Sequence, residues 1–317
     1  MMKYNFSDLN VLIIGDVMLD YYLFGQINRI SSEAPVPIVD IESDEYKLGG
    51  AANVALNLKG LGANPTLVSI VGDDENGKRI ISLLKDEQIS SKHITKLENR
   101  LTSIKTRIFD DERQVVRFDK ESDDDLSKDE EVALLTLIDT LIKKEKFHAV
   151  ILQDYNKGIL TKKIIKQVLL ITTKLNIPVV VDPKEYNFFE YQQIDLFKPN
   201  LKELAEALSI KINPKSLSSL VKAAEELKRR NRFDNLFLTL GANGIFVYEK
   251  SGENYIVPAR AIKTADVSGA GDTVVSIATL GFIKNWSLKE VAKISNLAAS
   301  KVCKKVGVCP ISLKDLK

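Results

Sequence analysis

From residue 148 onward, short apolar runs and helix-compatible stretches alternate with little interruption. Apolar runs at 148–153, 177–182, 194–198 and 235–240 predict strands, and 161–175, 200–208 and 216–231 predict helices between them. Two further strands near 244–249 and 253–257 and two helices at 269–284 and 287–304 close the chain. Val11 to Ile14 opens it with another fully apolar run, followed by helices at 51–61 and 75–87 around a strand at 65–71. Apolar runs this short, with no polar alternation, are the mark of strands buried on both faces. Their alternation with helices predicts a doubly wound α/β fold with a mainly parallel sheet. Ligands of such sheets sit beyond the carboxyl ends of the strands. Asp16, Asp154, Asp182, Asn200 and Gly241 fall there.

Two segments do not follow this rhythm. Residues 21–48 mix Tyr, Ile and Val with charges and two prolines, and 102–119 reads as two strands around a turn at 110–112. Both suit an exposed second sheet better than a core. A chain of 317 residues allows one large α/β domain or two smaller ones.

Composition narrows the function. Lys plus Arg number 45 and Asp plus Glu 43, which gives no general case for binding nucleic acid or an anionic membrane. Two cysteines and two histidines, without C-x-x-C, argue against a disulfide framework or a zinc site. With no signal-peptide pattern and no 18-residue apolar run, a cytoplasmic protein is expected.

The stretch Ala265 to Thr273 carries the chemistry. Gly269, Ala270 and Gly271 begin a helix whose first N–H groups lack intrahelical partners, and they have no bulk to keep a phosphate away. Asp272 would repel that phosphate unless it serves as a base. An acid that takes the proton of an attacking hydroxyl, beside donors that hold the transferring group, describes phosphoryl transfer to an alcohol. The alternative is a capping acid beside a flexible glycine loop.

Other motifs are weaker singly. Thr239 to Gly244 follows a strand and holds two glycines three apart, as a phosphate-approaching turn or an ordinary hairpin would. Asn200 and Glu203 form either a capping box or an Mg²⁺ site acting through water, or both. Gly72 to Arg79 lies one letter from a P-loop, but Arg79 stands where the metal-binding hydroxyl is required, so a turn and helix start is expected. Val11 to Asp16 lacks G-x-G-x-x-G, which removes a dinucleotide-dependent oxidoreductase.

Taken in order, Gly49-Gly50-Ala51-Ala52-Asn53, Asn200-x-x-Glu203, Thr239-x-Gly241-x-x-Gly244 and Gly269 to Asp272 resemble the ribokinase-like (PfkB) carbohydrate kinases over nearly the whole chain. The resemblance implies a single domain over 1–317 with a small β lid drawn from about 16–48 and 94–119, Asp272 as catalytic base, and Gly269, Ala270 and Gly271 as the anion hole. It implies Asp16, Asp20, Gly49, Gly50 and Asn53 as sugar-binding positions. Asn200, Glu203, Thr239, Gly241, Gly244 and Asn296 would serve the nucleotide, with Glu203 on Mg²⁺ through water. ATP and Mg²⁺ are the implied cofactors, with a monovalent cation as an open third.

Within the family, the segments Gly15 to Tyr22, Arg29 to Val39, Asp154 to Gly158 and Asp182 to Lys184 look most like the heptose-7-phosphate 1-kinase group. That likeness implies phosphorylation of the anomeric hydroxyl of D-glycero-D-manno-heptose 7-phosphate. Arg107, Arg117, Lys157 and Lys184 are the cations for its phosphate, unless they are solvated charges; Asp154 is a further substrate position or an ordinary strand-end residue. Ser268 in place of Thr and the Thr239-Leu240-Gly241 run depart from that group, and the chain's end at Lys317 implies a stand-alone kinase. A kinase for ribose, fructose or a hexose phosphate is the alternative, and a non-catalytic sugar- or nucleotide-binding regulator the less favoured one. An exposed apolar lid face predicts a homodimer through the lid.

Overall fold

The computed structural model describes residues 4–261 and 266–316. Ala265, the first residue of the stretch that ends at Thr273, lies outside them. Nine strands form the main sheet: β1 (Asn10–Gly15), β4 (Asn64–Gly72), β5 (Ile94–Leu97), β8 (Ala149–Gln153), β9 (Val179–Asp182), β10 (Ile194–Phe197), β11 (Phe233–Thr239), β12 (Ile245–Tyr248) and β13 (Asn254–Val257). Their order is β13-β12-β11-β10-β9-β8-β1-β4-β5, parallel from β5 to β11 and antiparallel for the last two pairs. β1, between β8 and β4, is apolar on both faces because helices cover both.

One face packs on α1 (Ala51–Gly60), α7 (Ala270–Ile283) and α8 (Leu288–Val302), where Ile13, Ile151, Val180 and Phe237 meet Val54, Val275 and Val291. The opposite face packs on α3 (Lys128–Lys144), α4 (Lys162–Lys174), α5 (Leu201–Leu208) and α6 (Leu217–Arg230), through Leu12, Ile14, Leu152 and Phe197. α2 (Glu75–Asp86) starts where the P-loop decoy sits. Asp74 caps it by accepting from Gly77 N at 2.7 Å, as a turn and helix start requires.

A second sheet of order β3-β2-β6-β7 is built from β2 (Val17–Ile30), β3 (Pro37–Gly50), β6 (Ile104–Asp110) and β7 (Arg113–Lys120). This is the expected lid, with one correction. Residues 94–97, assigned to the lid from sequence, instead form β5 at the edge of the main sheet, with Ser69 to Gly72 of β4 opposite Ile94 to Leu97. The lid's second segment therefore begins at Ile104. β2 follows β1 after Asp16 alone, and β3 runs directly into α1.

No helix among the described residues is long and apolar enough to cross a membrane.

Candidate active site

Gly269 takes φ 76°, a left-handed conformation that glycine adopts without strain, and turns the chain into α7. Ala270 N–H bonds back to Val267 O at 3.2 Å; among the described residues no backbone acceptor pairs with the N–H of Gly271 or Asp272. These two groups are the free donors of the helix start, and they carry its positive end. A Cβ built on Gly271 would lie 3.8 Å from Lys198 Nζ and 4.0 Å from Asp182 Oδ2, so a buried ammonium borders the same hollow. Lys198 is 2% exposed and pairs with Asp182 Oδ1 at 3.0 Å. Two free N–H groups, a helix N-terminus and a lysine suit a phosphoryl group.

Asp272 is 3% exposed. Its Oδ2 accepts from Asn53 Nδ2 at 2.7 Å, and its Oδ1 from Tyr155 OH at 2.8 Å and Gln153 Nε2 at 3.2 Å. Burial pushes the carboxyl up to about 7, with the charge of Asp182 adding to the shift and the Asn53 and Tyr155 hydrogen bonds opposing it. A base poised near neutrality is what proton abstraction at physiological pH calls for. The Tyr155 hydroxyl is held well above its ordinary range, first by burial and then by the Asp272 charge, so it remains a donor. Asn53 is fixed in turn by α1, where Asn57 Nδ2 donates to its backbone carbonyl at 2.8 Å.

Asp16 is turned toward backbone. It accepts from the N–H groups of Tyr155 at 2.8 Å, Lys157 at 3.2 Å and Ile159 at 3.3 Å, and so fastens the loop after β8 to the end of β1. Asp154, behind it, accepts from Tyr191 OH at 2.6 Å; burial and the Asp16 charge push its carboxyl up to about 7. On the lid, Asp20 holds Arg107 Nη1 at 2.5 Å, with both side chains buried and the guanidinium 5.3 Å from the Tyr22 ring centroid. Burial pushes Asp20 above the usual carboxylate range, against the pull of Arg107. Gly49 leaves the room that Asp20 occupies, since a Cβ there would overlap its carboxylate. Gly50, at φ 60°, turns β3 into α1.

Arg117 stands opposite Arg107 across the β6–β7 pair, hence on the same face. It is half-exposed and touches Asp119 at 3.1 Å. Lys157 Nζ is paired with Glu121 at 2.6 Å. Lys184 pairs with Glu203 and lies 5.5 Å from the Tyr155 ring centroid, which links the Asn200 and Glu203 pair to the Asp272 cluster. Asn200 and Glu203 form a complete capping box on α5, with both bonds at 2.8 Å. Among the described residues no group of three or more His, Cys, Asp or Glu side chains gathers as a metal cage. Mg²⁺ rarely uses one, because substrate phosphates and water complete its shell. Glu203 is buried, with Oε1 paired to Lys184 and Oε2 accepting from the Asn200 N–H at 2.8 Å.

Thr239 ends β11 beside Asn200. Gly241, at φ 58°, has nothing within 4 Å of its Cβ direction, so its outer side is open. Gly244, at φ 97°, is pressed against the Val257 carbonyl, where a side chain would overlap. Asn296 Nδ2 donates to Val257 O at 2.9 Å and Pro258 O at 3.2 Å, securing the chain after β13.

Three members of the central cluster carried no role in the sequence reading: Gln153, Tyr155 and Lys198. Gln153 is the one polar residue of the buried strand β8, and Lys198 lies just past the end of β10. A polar residue at the carboxyl end of a buried strand was the available signal.

Comparison with known proteins agrees with this geometry. The pfkB family carbohydrate kinase pattern matches residues 8–315. The bifunctional protein HldE of Methylobacillus flagellatus is 38% identical over 307 residues, covering 97% of this chain and 62% of that protein. The bifunctional protein HldE of Campylobacter curvus is 40% identical over 316 residues, covering 98% of this chain and 64% of its own. The chain thus spans under two thirds of the length of these relatives. Among solved structures, phosphofructokinase-2 from Escherichia coli in complex with potassium superposes with a TM-score of 0.79 at 22% identity, covering 97% of this chain and 96% of that one. Ribokinase of Arabidopsis thaliana, complexed with ribose and ATP, superposes at 0.74 and 18% identity, over 97% of each chain. At such identities these two show the ribokinase-like fold alone.

Proposed function

Because the chain belongs to the pfkB family of carbohydrate kinases, we propose that it transfers the γ-phosphoryl group of ATP to the anomeric hydroxyl of D-glycero-D-manno-heptose 7-phosphate. The observation that carries the reading is Asp272: a buried carboxyl near neutrality at the foot of a helix with two free N–H donors and a lysine. Asp272 takes the acceptor proton. The N–H groups of Gly271 and Asp272, with Lys198, hold the transferring group and its growing charge. Mg²⁺, bound through water by Glu203, would neutralise charge on the phosphates. A monovalent cation belongs to the proposal on the precedent of the potassium-bound neighbour.

The heptose phosphate is supported by the HldE relatives and by the arginines of the lid. Asp20 and Arg107 form one buried unit on the face where Arg117 also stands, and Arg117 has a half-exposed guanidinium to give to a sugar's phosphate. The lid also supports a homodimer. Val116 and Phe118 on β7 are 44% and 54% exposed, at the edge of a four-stranded sheet. Function as a cytoplasmic enzyme follows from these substrates.

The test is ADP release with Mg-ATP, comparing D-glycero-D-manno-heptose 7-phosphate with ribose, fructose and fructose 6-phosphate. Turnover confined to the heptose phosphate is expected. A preference for another sugar would retain the mechanism and reject the substrate.

A further inference from the structure

Gln153 closes β8 after four apolar residues and is 1% exposed. Its Nε2 stands 3.0 Å from Asp182 Oδ2 and 3.2 Å from Asp272 Oδ1. An amide nitrogen carries two N–H donors, so one goes to each carboxylate. Turning the amide over would set its oxygen against two carboxylates, which fixes the orientation. The consequence is that Oε1 is buried with no partner among the described residues. A buried acceptor without a donor is a standing cost to the fold, and a methionine of similar length would fill the space without it. Local rules broken in this way cluster at working sites.

Asp272 shows what the amide does. Oδ1 accepts from both Gln153 and Tyr155, whereas among the described residues Oδ2 accepts from Asn53 alone. A carboxylate oxygen offers about two lone-pair sites, so Oδ1 is filled and Oδ2 retains one. We propose that Gln153 is a positioning residue for proton transfer: with Tyr155 it fills Asp272 Oδ1, which leaves Oδ2 as the atom that takes the acceptor's proton. This rests on the reading of Asp272 as the base. The other charged groups facing Asp272 are Asp182 at the end of β9, Lys198 after β10 and, farther off, Lys184 after β9. A donor to a carboxylate favours its charged form, so removing one raises the titration midpoint.

The test is Gln153→Met, followed by carboxyl ¹³C NMR titration without substrate. The Asp272 signal is assigned by its loss in Asp272→Asn. The Asp272 midpoint should rise by about one pH unit, the worth of one hydrogen bond to a charged group. From a midpoint of about 7 this lowers kcat/KM at pH 7 about fivefold and restores it above about pH 9. The KM for ATP should hold, since Gln153 touches the two carboxylates and not the nucleotide-side residues. Wild-type turnover together with an unmoved midpoint in the variant overturns the role of Gln153 alone. Loss of rate that does not recover at high pH overturns it too. Absence of any sugar-dependent turnover in the wild type defeats the kinase reading and the proton-transfer role together. Should the methionine variant not fold, Gln153→Leu is read by the same midpoint.

Discussion

Asp272→Asn should yield a protein that is more stable than the wild type above neutral pH and nearly inactive. Burial pushes this carboxyl from an ordinary 3.8 up to about 7. Between those values the folded chain keeps a proton that the unfolded chain has released, so stability falls as pH rises. Three units at ~1.4 kcal/mol each make that loss about 4 kcal/mol by pH 8. Asparagine carries no charge to desolvate and escapes it, while its oxygen can still accept from Gln153 and Tyr155. At pH 4 the wild-type carboxyl is protonated when folded and still partly so when unfolded, and the gap should shrink below about 1 kcal/mol. Thermal melts at pH 4, 6 and 8 measure the gap, which should open to several degrees at pH 8. ADP release measures the other side, where loss of a general base costs about 10²–10⁴ in kcat. A variant less stable than wild type at pH 8, or a gap that does not change with pH, would refute the buried-carboxyl argument. Near-normal turnover would remove Asp272 as the base.

Lys198→Met should lower kcat about 10²–10³-fold and cost about 3–5 kcal/mol of stability, since it leaves Asp182 buried without its cation. Adding Asp182→Asn should recover the stability, read by melting, and none of the turnover. Arg117→Ala should raise KM for the sugar phosphate about 10-fold or more with kcat unchanged, and leave an unphosphorylated sugar unaffected. Phe118→Lys should shift the protein from dimer to monomer in light scattering at micromolar concentration without lowering its melting temperature. Gly244→Ala should destabilise the protein in thermal melts, because the residue combines φ 97° with a Cβ overlapping the Val257 carbonyl.

The α/β layering was legible because its strands are short, apolar and unmixed; nothing but a sheet covered on both faces suits Val11 to Ile14 or Ala149 to Leu152. β5 was not, since Ile94 to Leu97 is a four-residue edge strand with two exposed polar residues, and so it was read with the lid. Asp272 and its glycines stood out because they are adjacent in sequence. Gln153, Tyr155 and Lys198 reach the same place from the ends of two other strands, and single polar residues there announce no partner. Of the two readings of Asn200 and Glu203, the capping box is the one the fold displays, with Lys184 on its acid.

The joints between the two sheets have a mechanical meaning. β1 passes into β2 through Asp16 alone, and β3 passes into α1 at Gly50 with no residue between them. Asp16 O also accepts from Ala51 N at 2.9 Å, so the two joints are tied to each other. There is no slack there to absorb a tilt of the small sheet. Any tilt is a torque on α1, and α1 carries Asn53, whose amide grips the oxygen of Asp272 at 2.7 Å. The Asp272 carboxylate is thus tied, through Asn53 and α1, to both joints between the sheets.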